Sequence, residues 1–453
     1  MNRIGICRAG AICLRWGCVA AAVWLVRHLH TPQTGGWQAW DHLALAGLLL
    51  PAAGGLRHAR SGLRRLEALL LGVFVVMIAA CAVSGTYWRQ RQRLRVLGAD
   101  RAQLRLAGAH FIIGFDAFQK IRPLAASGAI AGIYLTRRNV AGLSVQQIRA
   151  RMDALQTLRQ QAGLTPLIVA ADQEGGLVSH LSPPLPSQPP LATLVGAAVS
   201  RRDLARSTAA YARRQAAWLV SAGVNLNLSP VVDLPADGAW LQGSTRLQRR
   251  AIADDKETVA EMAQVYCRSM NHAGVWPTLK HFPGLGQVAE ETHRQGGNLD
   301  LPLDALSVRD WVPFRQVIAH TQAFLMLGHV RLRQVDAQHL VCTSPAVIQE
   351  ILRHQWHFNG ILITDDLDMG AVRQSGGIGR TAVQALNAGV DLLLISYDGR
   401  QYYPAMAAVL DALEQGDLDL GRLAQSRRRL EGLWPPNAIV ETAKADPWMK
   451  PPL

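Results

Sequence analysis

The sequence predicts an α/β protein, a (β/α)₈ TIM-type barrel preceded by an N-terminal hydrophobic, transmembrane helical region. Three observations carry this expectation. From about residue 105, eight short apolar, β-branched runs alternate with stretches of helical periodicity, the pattern of parallel β/α units. Polar residues cluster at or just past the ends of those runs, on the face where a barrel carries its chemistry. Before residue 88 the chain is far richer in apolar residues than after it.

The runs predicted as strands cover residues 110–115, 132–136, 167–172, 224–233, 276–282, 323–330, 360–366 and 391–396. Each is bounded by Gly, Pro or polar residues, as strands are. Between them lie amphipathic segments. In VQQIRARMDALQTLRQQ, residues 145–161, Ile148, Met152, Leu155 and Leu158 fall near one face and Arg and Gln elsewhere, which suits a helix of the outer ring. Domain organisation follows: an anchoring region at 1–88 with up to three transmembrane helices, a basic linker at 89–104, the barrel at 105–432 and a Pro-rich tail at 433–453.

Three apolar stretches make up the anchoring region, at roughly 9–26, 39–55 and 66–86. The third is the strongest span, because about 20 apolar residues cross a bilayer core as a helix. The first contains Arg15, and the second contains Asp41 and Pro51. If all three span, Arg3, Arg8 and the Arg57–Arg65 cluster outweigh Arg27 and the Arg89–Arg95 cluster. The positive-inside rule then puts the N-terminus in the cytoplasm and the barrel in a periplasm-like space, on a bacterial inner membrane. The alternative is lipid anchoring through Cys81, since Ile78-Ala79-Ala80-Cys81 resembles a lipobox.

The formal net charge of +14 raises the question of nucleic acid. Much of that charge flanks the apolar runs, and neither an aromatic-interleaved basic stripe nor zinc-finger spacing accompanies it, so nucleic acid is not an expected partner. The cysteines Cys7, Cys13, Cys18 and Cys81 lie in the anchoring region, and only Cys267 and Cys342 lie in the barrel. Two buried free thiols are expected there, with a Cys267–Cys342 bridge as the alternative.

Asp172, Asp233, Lys280, His281, His329 and Asp365 all fall at predicted strand ends. One Asp after a strand is ordinarily a helix cap, but six such residues exceed what capping requires. Several carboxylates with His and Lys, and no His/Cys cluster at metal spacing, point to acid/base or covalent carboxylate chemistry without metal or organic cofactor. Glycoside hydrolysis fits. One carboxylate would attack the sugar, and a second group would protonate the leaving oxygen.

The motifs GAIAGIYLTRRNV, ADQEGGLV, LNLSPVVDL, LKHFPGLG, ETH and LITDDLDMGAV, in that order, resemble glycoside hydrolase family 3, in particular its bacterial β-N-acetylglucosaminidases. The resemblance spans roughly residues 107–432. It implies Asp365 as nucleophile, His293 as acid/base paired with Glu291, and Asp172, Lys280, His281 and His329 as sugar-binding residues. It implies an amino-sugar glycan as substrate. Asp233 is left open between bracing the barrel top and touching sugar.

The chain also departs from the family pattern. Leu285 replaces the second His of KHFPGHG, Glu291-Thr292-His293 replaces Asp-Ser-His, and Leu177 replaces an Arg. The Arg-Ser-Phe motif is replaced by STRLQRR, in which Arg246 is the expected sugar-binding Arg. The rival expectation is a catalytically weakened, membrane-anchored barrel that binds glycan.

Overall fold

A computed structural model describes residues 62–236, 247–290, 292 and 296–434. The chain divides after Leu94 into two compact units. Of the first, the structure describes part of a helix running Gly62–Leu97. This helix contains the third apolar stretch, but most of that stretch's side chains fall outside the described set. Among the described residues, no helix is long and apolar enough to cross a membrane. The two earlier apolar stretches and most of the tail lie outside the described residues.

The second unit contains the barrel. Its strands are β1 Phe111–Ile113, β2 Gly132–Leu135, β3 Ile168–Ala171, β4 Leu226–Asn227, β5 Trp276–Phe282, β6 Phe324–Leu327, β7 Leu362–Thr364 and β8 Leu393–Ile395. All pair in parallel in sequence order, and β1 pairs with β8 through Phe111↔Leu393. A bridge between Ile363 and Leu392 joins β7 to the start of β8 and closes the ring. Every predicted run contributes a strand. The run at 224–233 pairs regularly only at Leu226–Asn227, with a separate bridge at Val231↔Lys280. Pro230 has no N–H to donate to the ladder there.

The helices after successive strands are α1 Phe118–Ser127, α2 Val145–Gln161, α3 Arg201–Ser221, α4 Lys256–His272, α5 Trp311–Ile318, α6 Ala346–Gln355, α7 Ile378–Ala388 and α8 Tyr402–Gln415. A capping box starts α2: Ser144 Oγ accepts the Gln147 N–H at 3.2 Å, and Gln147 Oε1 accepts the Ser144 N–H at 2.8 Å. Gly128, with φ 80°, ends α1 in the left-handed conformation that a Cβ disfavours. The α6 segment is wound as a π-helix.

Strand alternation sorts the core into two clusters. Phe111, Ile113, Val169, Leu325 and Leu393 face the helices. Ile112, Tyr134, Ile168, Leu226, Met326, Ile363 and Leu394 fill the barrel interior. At its lower end Trp276 and Trp434 meet edge to face, with centroids 4.8 Å apart. Close by, the buried Asp391 carboxylate accepts from Arg353 Nη2 at 2.7 Å, Arg429 Nε at 2.9 Å and the Leu362 N–H at 2.8 Å. That network ties the starts of β7 and β8 to α6 and to the final helix, Leu420–Glu431. Cys267 and Cys342 are buried free thiols, as expected.

Candidate active site

The upper end of the barrel gathers the charged residues. Asp172 follows β3 and Lys280 lies within β5, and Lys280 Nζ sits 2.5 Å from Asp172 Oδ1 and 2.6 Å from Glu174 Oε1. Arg250 closes the other side of Glu174 with two parallel bonds of 2.9 and 2.8 Å. Such a fork fixes both orientation and charge. Beyond Asp172, Tyr134 Oη donates to Asp172 Oδ2 at 2.5 Å and lies 2.9 Å from His180 Nδ1. The result is one connected row: Arg250, Glu174, Lys280, Asp172, Tyr134, His180.

Burial alone would raise the carboxyl pKa values in this row. For Asp172 burial is the largest single influence, but the Lys280 ammonium, His180 and the hydrogen bonds from Lys280 and Tyr134 together outweigh it and hold the carboxyl well below the usual range. For Glu174 Arg250 and then Lys280 do the same. Burial alone would lower Lys280, but Asp172 and Glu174 raise it instead. All three stay ionised although Lys280 is only 3% exposed.

His281 is held from behind. Asp233, fully buried, accepts the His281 Nδ1–H at 2.8 Å and the Leu285 N–H at 2.7 Å. Asp233, left open above, thus braces the turn that carries Lys280 and His281. Leu285 is buried at the place where the family pattern has a His.

Across the mouth, Asp365 follows β7 and is half-buried. Its N–H donates to Leu327 O at 3.0 Å, and its Oδ1 accepts the Asp366 N–H at 2.8 Å. Asp366 in turn accepts from Ser396 Oγ at 2.6 Å and from the Tyr397 N–H at 3.1 Å, which pins this turn to the end of β8. His329 is fully buried, and its Nε2–H donates to Asp366 O at 2.9 Å while Cys342 Sγ lies 3.3 Å from Nδ1. Burial lowers the His329 pKa against the opposing pull of Asp365. The neutral ring therefore braces the Asp365–Asp366 turn. Burial raises Asp366, and burial with Asp366 and Asp398 pushes Asp368 up to about 7.

Asp172, Lys280, His281, Asp365 and His329 are thus brought to one mouth. Glu291, His293 and Arg246 lie outside the described residues. Four members of the row were not singled out from sequence as site residues: Tyr134, Glu174, His180 and Arg250. Glu174 sits inside the quoted ADQEGG motif, and Arg250 ends the STRLQRR segment. Tyr134, in a strand and 2% exposed, reads as core. Among the described residues, no group of three or more His, Cys, Asp or Glu side chains could hold a metal ion.

Ionised acceptors beside fixed cations, facing a half-buried carboxylate at the mouth of a β/α barrel, suit a polyhydroxylated substrate. The arrangement defines a carbohydrate-processing barrel enzyme. Residues 100–433 match the glycosyl hydrolase family 3 N terminal domain, and the chain belongs to that family of glycosidases. It is 36% identical over 274 residues to a β-hexosaminidase of Xylella fastidiosa strain M12, covering 59% of this chain and 77% of the relative. It resembles the structure of a family 3 β-N-acetylglucosaminidase from Paenibacillus sp. FPU-7, with TM-score 0.69 and 29% identity over 76% of this chain. It covers 64% of that longer protein. A β-N-acetylhexosaminidase from Beutenbergia cavernae is similar, with TM-score 0.64 and 28% identity, over 73% of this chain and 97% of that one.

Proposed function

We propose that the chain is a retaining exo-β-N-acetylhexosaminidase that removes terminal N-acetylglucosamine from cell-wall-derived glycans. Asp365 attacks the anomeric carbon as the bond to the leaving oxygen breaks, and His293, oriented by Glu291, protonates that oxygen. His293 then takes a proton from water, which attacks the same carbon and releases Asp365. A neutral-pH imidazole can serve in both protonation states in turn.

The observation that carries this reading is the pinned Asp365. Its backbone is held by Leu327 and its Oδ1 by the next peptide N–H, and it shares the upper end of the barrel with the ionised Asp172 and Lys280. The amino-sugar preference is supported by the activities of the similar proteins from Xylella, Paenibacillus and Beutenbergia.

The anchoring proposal rests on sequence alone. The apolar residues 66–86 hold the barrel at the inner membrane, with the barrel on the periplasmic side. An intact mass beginning at a lipidated Cys81 would replace the spanning helix by a lipid anchor.

The test is chromophore release from an aryl β-N-acetylglucosaminide by the full chain and by Asp365→Ala. Release by the first, with a loss of at least about a thousandfold in the folded second, supports the reading. Equal turnover by both overturns the role of Asp365. Silence from a folded wild type that still binds N-acetylglucosamine favours the glycan-binding alternative.

A further inference from the structure

The protons around Tyr134 can be assigned one by one. Asp172 is ionised and holds no proton, so each of its oxygens can only accept. Oδ1 accepts from Lys280 at 2.5 Å. Oδ2 lies 2.5 Å from Tyr134 Oη, and a phenol has one proton to give. That proton goes to Asp172.

Tyr134 Oη is also 2.9 Å from His180 Nδ1. Having spent its proton, the phenol oxygen can only accept there, so Nδ1 carries the N–H. In a neutral imidazole Nε2 is then a bare acceptor. His180 is part-exposed and makes no other side-chain hydrogen bond among the described residues. Its backbone N–H donates to Asp172 O at 3.0 Å, which keeps the ring beside the carboxylate. The ring also packs edge to face on Tyr134, with centroids 6.0 Å apart.

We propose that His180 Nε2 accepts a hydrogen bond from a substrate hydroxyl, and that Tyr134 is the positioning residue that fixes its tautomer. This rests on the reading of the site as a sugar pocket. Asp172 and His180 then form adjacent acceptors at one end of the row. Lys280 lies between Asp172 and Glu174, and Arg250 closes the other end of the row. A sugar carrying neighbouring hydroxyls fits the acceptor end, and a sugar lacking one leaves a polar group unpaired. That gives His180 a role in selecting which hydroxyls the enzyme requires.

The experiment uses the full chain with an aryl β-N-acetylglucosaminide and its ring-deoxy analogues. Wild type should penalise one analogue about tenfold in kcat/KM, as expected for one hydrogen bond. His180→Phe should lose about the same factor on the parent substrate, mostly in KM, and show no further penalty for that analogue. Tyr134→Phe should weaken the same discrimination while still folding. A His180→Phe variant with wild-type kcat/KM, or one that keeps the full deoxy penalty, overturns the proposal.

Failure of wild type on every aryl N-acetylhexosaminide would refute the substrate reading instead. The proton assignment is then decided by ring ¹⁵N shifts, with the His180 signal identified by its loss in His180→Phe. A protonated Nδ1 and bare Nε2 that scramble in Tyr134→Phe sustain it. A bare Nδ1 in wild type overturns it.

Discussion

The mouth of this barrel contains two sets of carboxylates under opposite pressure. In the row built on β3 and β5, Asp172 and Glu174 are buried against Lys280 and Arg250 and are held below the usual carboxylate range. In the turn after β7, Asp366 and Asp368 are buried near one another, and both are raised. Asp368 is 6% exposed, and its Oδ2 has no hydrogen-bond partner among the described residues. Burial acts alike on both sets. What differs is how closely a buried cation approaches: Lys280 and Arg250 lie 2.5–2.9 Å from the Asp172 and Glu174 oxygens, whereas the half-exposed Arg373 stays 3.8 Å from Asp368 Oδ1, and that decides which carboxylates serve as permanent acceptors and which can hold a proton.

The largest expected effect comes from removing the shared cation. Lys280→Met leaves two ionised carboxylates facing each other in a buried site, and should cost about 3–5 kcal/mol in denaturant unfolding. Adding Asp172→Asn to it should recover part of that loss. A destabilisation below about 1 kcal/mol would show that the row is wetter than its burial implies.

Next comes pH, where the two regions should move in opposite directions. The contribution of Asp172 and Glu174 is present above about pH 4 and is lost on acidification, because their folded values lie below the unfolded ones. Asp368 has the reverse sign: its folded value is about 7 against 3.8, so its contribution is complete below about pH 4 and disappears as pH climbs through 7. Asp368→Asn should therefore gain on wild type between pH 5 and 8, by about 2 kcal/mol near pH 5 and by up to roughly 4 kcal/mol near pH 8. Identical pH–stability curves for the two proteins would break the contrast.

A smaller effect is expected for Arg250→Lys, which keeps the charge but loses the fork on Glu174. It should cost about 1 kcal/mol in stability, with a rise in KM. The smallest is Leu177→Ala. Leu177 is 45% exposed, and replacing it should change stability by less than about 0.5 kcal/mol. A larger change would mean that the site rim continues over this residue.

The barrel was readable because its strands announce themselves as apolar runs with polar ends, and Asp172, Lys280, His281 and Asp365 stand at those ends. What was hidden is informative. Tyr134 lies in an apolar strand, where a phenol looks like core, and only the fold brings its hydroxyl to Asp172. The same STRLQRR segment that offered Arg246 as a sugar-binding residue also contains Arg250, whose guanidinium holds Glu174, a role its position in the segment did not announce. His329 was expected beside the sugar, and nothing in the sequence signalled that its ring is fully buried with its nitrogens against Asp366 O and Cys342 Sγ. Sequence shows which residue types are present. It does not show which of them are turned back to hold the others.

The Trp276–Trp434 contact at the bottom of the barrel bears on how the protein is made. β1 pairs with β8, and Trp434, beyond the helix Leu420–Glu431, packs on Trp276 at the lower end. During synthesis the ring therefore cannot close before Ile395 has emerged, and the contact on Trp276 at its base cannot form before Trp434 has. Until then β1 presents an unpaired edge that must be kept from other chains. Truncation just upstream of Trp434 would strip Trp276 of this ring contact, so a recombinant boundary belongs after this residue.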